Sequence, residues 1–144
     1  LKIISCFTNC SDVVIGLVVN NRLEEEYGDK LFGLFLNTIP FRFNFNNYTS
    51  DYLSHVFDEK LQLQNYKQLP YGYIKSIVKQ DLYEFAFNFI NFHVLNDSLD
   101  YISVISGYER TNIPLVLNIF QNEDATYEVE FIAHDNYISK SYLD

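Results

Sequence analysis

The spacing of apolar residues changes repeatedly along this chain, and each change marks an element. "LKIISCF" at the start has the pattern of the end of a helix. Asp12 then leads into "VVIGLVV", an unbroken apolar run that suits a strand covered on both faces, hence a central one. The polar stretch "NNRLEEEYGD" predicts a loop. "KLFGLF" is a short apolar stretch, and "NTIPFRFNF" alternates, with Ile39, Phe41, Phe43 and Phe45 opposite Pro40, Arg42 and Asn44. Period two predicts a strand. Helical spacing follows: Leu53, Val56, Phe57 and Leu61 recur behind a Thr49/Ser50 cap, and Pro70 closes the run. "YGYIKSIVK" predicts a second, short helix through Ile74, Ile77 and Val78.

Alternation returns in "EFAFNFINFHV", where Phe85, Phe87 and Phe89 oppose Glu84, Ala86 and Asn88. "YISVIS", "IPLVLNIF" and "TYEVEFIAH" predict further strands, the last two joined as a hairpin across "QNEDA", and "NYISKSYLD" would begin a helix. There is no internal repeat, low-complexity tract or linker. Strands, then two helices, then more strands predict a single α/β domain: a mixed sheet with helices packed on it, without strict βαβ alternation.

Composition narrows the function classes. With 144 residues, 48% of them hydrophobic, the chain can bury a core as one domain. Ten Lys and Arg scattered among nineteen carboxylates leave a net charge of −9, which argues against a nucleic-acid partner held through its phosphates. No apolar run reaches the ~18 residues that suggest a membrane span, and the start lacks the layout of a signal peptide, so a cytoplasmic location and no membrane partner are expected. Cys6 and Cys10 are the only cysteines, spaced as on one helix face and expected to be buried reduced thiols. The chain opens on Leu1 and has no methionine, so it reads as a piece of something longer.

Candidate chemistry is thin. "HVLND", from His93 to Asp97, has an H-x-x-x-D spacing that some acyltransferases use, but a second His is missing and Ser98 follows where glycine is usual. His55 and His134 stand alone, and Glu24, Glu25 and Glu26 form a charge run suited to a solvated loop. Glycine-rich phosphate loops, nucleophile elbows and clusters with metal spacing are absent, so no metal is expected. From the residues alone this is a domain without a visible catalytic set. One oddity is left: Asn37 and Thr38 interrupt the apolar run "KLFGLFLNTIPFRF", as turn or cap residues do when they bond nearby backbone amides.

That stretch also carries a resemblance. "VVIGLVVNNR" followed by "LFGLFLNTIPFR" resembles the condensation domains of nonribosomal peptide synthetases, where a strand of type "(I/V)VIGxPxxxR" precedes "GxFxNTxxxR"; Gly16, Arg22, Gly33, Phe35, Asn37, Thr38 and Arg42 match. "YKQLPYGYI" stands where the family has a stretch like "HQDYPFEKL", keeping Pro70 and an aromatic Tyr71 but not the acid. "DLYEFAFNFIN" is similar to "PLFxVxFNYxN" through Leu82, Tyr83, Phe85, Phe87, Asn88, Phe89 and Asn91, with Asp81 in place of the proline. The final hairpin resembles the family's closing hairpin, so the likeness spans nearly the whole chain.

The resemblance implies the second lobe of a two-lobed fold like chloramphenicol acetyltransferase. Residues 1–144 would be a partial condensation domain without the N-terminal lobe that carries the family motif "HHxxxDG". No catalytic residue is then expected in this chain, which alone would be inactive. The parent would join a carrier-bound acyl or peptidyl thioester to the amine of a carrier-bound aminoacyl group. Its partners would be the missing lobe and the peptidyl carrier and adenylation domains. No cofactor would be bound directly, the phosphopantetheine arm belonging to the carriers. By the same resemblance Asn37 would orient a substrate or the facing histidine beside the channel, and Thr38 and Gly33 would support the backbone there. Arg22 and Arg42 would pair with carboxylates across the lobe interface or lie near the carrier arm. "GLFLNT" is the form expected of condensation domains rather than of their epimerisation or heterocyclisation relatives. Two alternatives stay open: a free-standing acyltransferase of the same fold that uses coenzyme A thioesters, and a degenerate domain that only docks partner enzymes. Apolar surface bared by the missing lobe would favour self-association.

Overall fold

Strand β1 (Asp12–Asn20) pairs antiparallel with β2 (Leu36–Asn44), from Asp12 opposite Asn44 to Asn20 opposite Leu36. Alternation along the two strands then sorts the side chains. Val13, Ile15 and Leu17 share a first face with Ile39, Phe41 and Phe43, while Val14, Gly16 and Val18 share the second with Thr38, Pro40 and Arg42. The computed structural model describes residues 1–22, 25–47, 51–91, 111–122, 124–134 and 136. Within them β3 (Phe85–Ile90) lies parallel to β1, β4 (Leu115–Gln121) parallel to β3, and β5 (Tyr127–Ala133) antiparallel to β4.

The five-stranded sheet has the order β2-β1-β3-β4-β5, the mixed sheet expected. β1 is interior, as its unbroken apolar run requires, although the middle position belongs to β3. Pro40 sits on the edge strand β2, where its missing N–H can face away from the ladder. The final hairpin turns through 122–126, with the Asn122 amide donating to the Thr126 carbonyl at 2.9 Å and Ala125 in the left-handed region at φ 63°.

Helices α1 (Lys2–Thr8) and α2 (Tyr52–Leu63) cover the first face, and a third, α3 (Tyr71–Val78), follows α2. Val13, Ile15 and Phe41 form the core, with Leu1, Ile4, Val56, Leu63, Phe85 and Phe87 against it. Phe43 is the largest fully buried side chain, and its ring meets Phe45 edge-on at 4.9 Å, which in turn meets Tyr52 of α2 at 5.8 Å. On the second face, buried Asn118 of β4 accepts from the Asn88 amide at 3.3 Å and donates to Glu130 at 2.8 Å, so the polar group is satisfied across three strands.

Several sequence expectations need correction. The apolar side of α2 is rotated: Val56 and Leu63 pack inward, whereas Leu53, Phe57 and Leu61 are exposed. Helical spacing of apolar residues gives a stripe, and only part of a stripe meets a sheet when the helix lies on its edge. α2 ends at Leu63 in a short 3₁₀ turn (Gln64–Tyr66), and Pro70 instead precedes α3. Asp51 stands immediately before α2, and Thr49 and Ser50 lie outside the described residues. In α3 only Ile74 of the three apolar positions is half-buried. Cys6 and Cys10 are exposed free thiols: Cys6 lies on α1, which buries no residue fully, and Asn9 turns left-handed and ends the helix before Cys10. "HVLND", "YISVIS" and all but the first residue of "NYISKSYLD" lie outside the described residues.

Phe43→Ala should cost about 3–5 kcal/mol in urea unfolding. Phe32→Ser, at a side chain 105% exposed, should stay within about 0.5 kcal/mol. Equal losses would mean that the core does not centre on the first face of β1 and β2.

Candidate functional site

Asn37 and Thr38 lie where β2 begins, and an open cavity of about 550 Å³ forms there. Its wall includes both residues together with Tyr71 and Lys75 of α3, Asp81 and Tyr83 of the α3–β3 connection, and the 112–114 segment before β4. Gly16 leaves the second face of β1 bare, and the Tyr83 ring fills that space: a Cβ on Gly16 would lie 2.5 Å from Tyr83 Cε2 and 2.9 Å from Thr38 Cγ2. Tyr71 stacks against Tyr83 at 4.7 Å.

The Asn37 side chain is fully engaged on its nitrogen. Nδ2 donates to the Lys67 carbonyl at 2.9 Å and the Leu69 carbonyl at 2.8 Å, and Oδ1 accepts from the Thr38 amide at 2.9 Å. Gly33 lies in the loop before β2, apart from the cavity wall, and a Cβ there would only touch the Phe35 ring at 3.4 Å. Arg22 fastens the same loop, with Nη1 donating to the Gly28 and Leu31 carbonyls at 2.9 and 2.7 Å and the guanidinium 4.4 Å over the Phe35 ring. Arg42 forms a two-pronged pair with Asp12 of the neighbouring strand, at 2.9 and 2.6 Å. Its carboxylate partner is therefore within this sheet, and neither arginine lines the cavity. Of the five residues singled out in the sequence, the structure brings only Asn37 and Thr38 to the cavity.

Tyr71, Lys75 and Asp81 stand in its polar wall, together with Tyr83, Glu84 and Asn112. The Tyr71 hydroxyl accepts from the Leu82 amide at 3.0 Å and lies 3.4 Å from Asp81, which pairs with Lys75 at 2.6 Å. The Lys75 hydrogen bond holds the Asp81 carboxyl below the ordinary aspartate range, and Asp81 in turn raises the Lys75 ammonium. Tyr83 is pushed up to about 12, first because burial disfavours the phenolate and then because Tyr71 and Asp81 are near, so it stays neutral at physiological pH. Such a wall can hydrogen-bond and orient polar substrates. It offers no nucleophile beside a general base, and among the described residues no group of three His, Cys, Asp or Glu could hold a metal. Lys75 escaped the sequence reading because its link to Asp81 spans the end of a helix and no local spacing reveals it.

The fold is a mixed α/β sheet with helices packed on it and an open polar cavity where β2 begins. The family model "Condensation domain" matches residues 3–139, and the chain belongs to that family. It is 30% identical over 136 residues to tyrocidine synthase 2 of Brevibacillus parabrevis, covering 85% of this chain and 4% of that one. The condensation domain from the Monacolin K polyketide synthase MokA superposes with a TM-score of 0.69 at 20% identity, covering 88% of this chain and 32% of that chain. The starter condensation domain of rhizomide synthetase RzmA gives 0.65 at 19% identity, covering 97% and 34%. The chain thus spans about a third of those solved chains and a small fraction of the synthetase. Among the described residues no helix is long and apolar enough to cross a membrane.

Gly16→Ala should lower stability by about 1–3 kcal/mol in urea unfolding, because the ring of Tyr83 must shift. Part of the loss should return when Tyr83→Leu is added. An NMR titration of Asp81 should find its carboxyl below 3.8, moving up in Lys75→Met. Since the folded value is depressed, the tie to Lys75 is present above the unfolded pKa and is lost as pH falls through the folded one. An unshifted carboxyl would mean that the pair does not persist in solution.

Proposed function

We propose that this chain is the second lobe of a condensation domain of a nonribosomal peptide synthetase. In that reading the parent forms an amide bond between a carrier-bound acyl or peptidyl thioester and the amine of a carrier-bound aminoacyl acceptor, in the cytoplasm. The observation that carries it is the family match across residues 3–139. The chain's coverage of only about a third of the solved condensation domains supports a preceding lobe, and that lobe would bring the "HHxxxDG" histidine.

The chemistry divides accordingly. Amine attack on a thioester needs both substrates aligned at the ends of long phosphopantetheine arms, and charge on the carbonyl oxygen and nitrogen must be met. This lobe contributes the channel wall: Thr38 and the backbone around Asn37, supported by the loop that contains Gly33 and that Arg22 fastens. Arg42 holds β2 to β1 through Asp12. The carriers and the adenylation domain that loads them are the partners.

The test is a synthetase module containing this chain, with both carriers loaded and the products read by mass spectrometry. The expected result is an amide-linked product on the acceptor carrier, with none formed by residues 1–144 alone. Transfer from free coenzyme A thioesters in preference to loaded carriers would replace this reading with a free-standing acyltransferase. Carrier or partner binding without turnover would replace it with a docking domain.

A further inference from the structure

We propose that Asn37 is a positioning residue, fixing the wall that α3 forms over the cavity without touching substrate. This rests on the reading of the cavity as a substrate channel. A side-chain amide has two N–H donors, and Asn37 spends both on carbonyls about thirty residues away, those of Lys67 and Leu69. The carbonyls belong to the turn that ends at Pro70, the residue immediately before α3. Oδ1 accepts the Thr38 amide at 2.9 Å, which fixes the side chain from its other end.

α3 needs such ties. It has eight residues, no side-chain cap at its start and no fully buried side chain, and a helix of that length is marginal by itself. Its place on the sheet therefore depends on polar links at its flanks. Asn37 holds the entry. On the other side the Tyr71 hydroxyl takes the Leu82 amide, and Lys75 pairs with Asp81; both members of that pair are well exposed, so it contributes little. Tyr71 rests on Tyr83, whose ring covers Gly16, and Gly16 also lies beside Thr38, the neighbour of Asn37. Among the residues around the cavity, Asn37 sends its hydrogen bonds from the sheet to the turn that leads into α3. Where α3 stands sets the distance between Tyr71 or Lys75 and Thr38, and hence what the cavity accepts.

Asn37→Asp separates the two roles, because it keeps the size and the oxygen beside the Thr38 amide but removes both donors. In the module that carries this chain, Asn37→Asp and Asn37→Ala should each raise the KM for the carrier-bound acceptor roughly tenfold, with kcat little changed. In hydrogen exchange on the chain without substrate, both should speed exchange of the Ile74 and Lys79 amides while β1 keeps its protection. Tyr71→Phe loosens the same wall with Asn37 intact and should raise the same KM, with less than additive effect when combined with Asn37→Asp. A native KM in Asn37→Asp, unchanged exchange in α3, or a Tyr71→Phe that leaves KM untouched would each overturn the proposal. If modules carrying the chain form no amide bond at all, the channel reading falls, and the exchange measurement alone still decides whether Asn37 places α3.

Discussion

The antiparallel register of β1 with β2 is the constraint on which the rest depends. Slipped by one residue, it would turn Phe41 and Phe43 away from the helices and set Arg42 among the core residues, because side chains alternate with period two. In the observed register Val13, Ile15 and Phe41 face the helices, and Gly16 lies under the Tyr83 ring on the opposite face. The Arg42 pair with Asp12 spans the same two strands. One register thus produces both a packed face and a face with room for a cavity. Its cost is the flat, bare Gly16, which only an aromatic ring from the next segment fills.

Much of this was legible in the sequence, and the reasons are local. The period-two run from Ile39 to Phe45 and the unbroken run of β1 carry their own strand signal, and the 122–126 hairpin is marked by polar residues between two alternating stretches. What was not legible depends on long-range geometry. Phe57 and Leu61, four apart, are as regular on a helix as Val56 and Leu63, seven apart, so nothing local reveals which side of α2 meets the sheet. Asn9 in a left-handed turn moves Cys10 off the helix, although the spacing of the cysteines suits one helix face.

The site was half legible for the same reason. Asn37 and Thr38 stood out because polar residues interrupt an apolar run, and both reach the cavity. The local reading of Asn37 as a residue that bonds a nearby amide holds for its oxygen and Thr38, whereas its nitrogen reaches carbonyls far along the chain. Arg22 and Arg42 stood out through the family pattern, yet each is consumed in holding its own loop or strand. Residues kept in a motif can be kept for the backbone they fasten.

That distinction bears on how the cavity wall is held. In the proposed condensation reading, a wall that drifts seats a substrate carried on a flexible arm less well. Rigidity here does not come from burial, because α3 has no fully buried side chain. It comes from a few hydrogen bonds to backbone carbonyls and from ring contacts packed against a glycine. Polar ties of this kind hold direction as well as distance, which an apolar contact does not. A wall hung on them can be placed accurately while its outer side stays exposed.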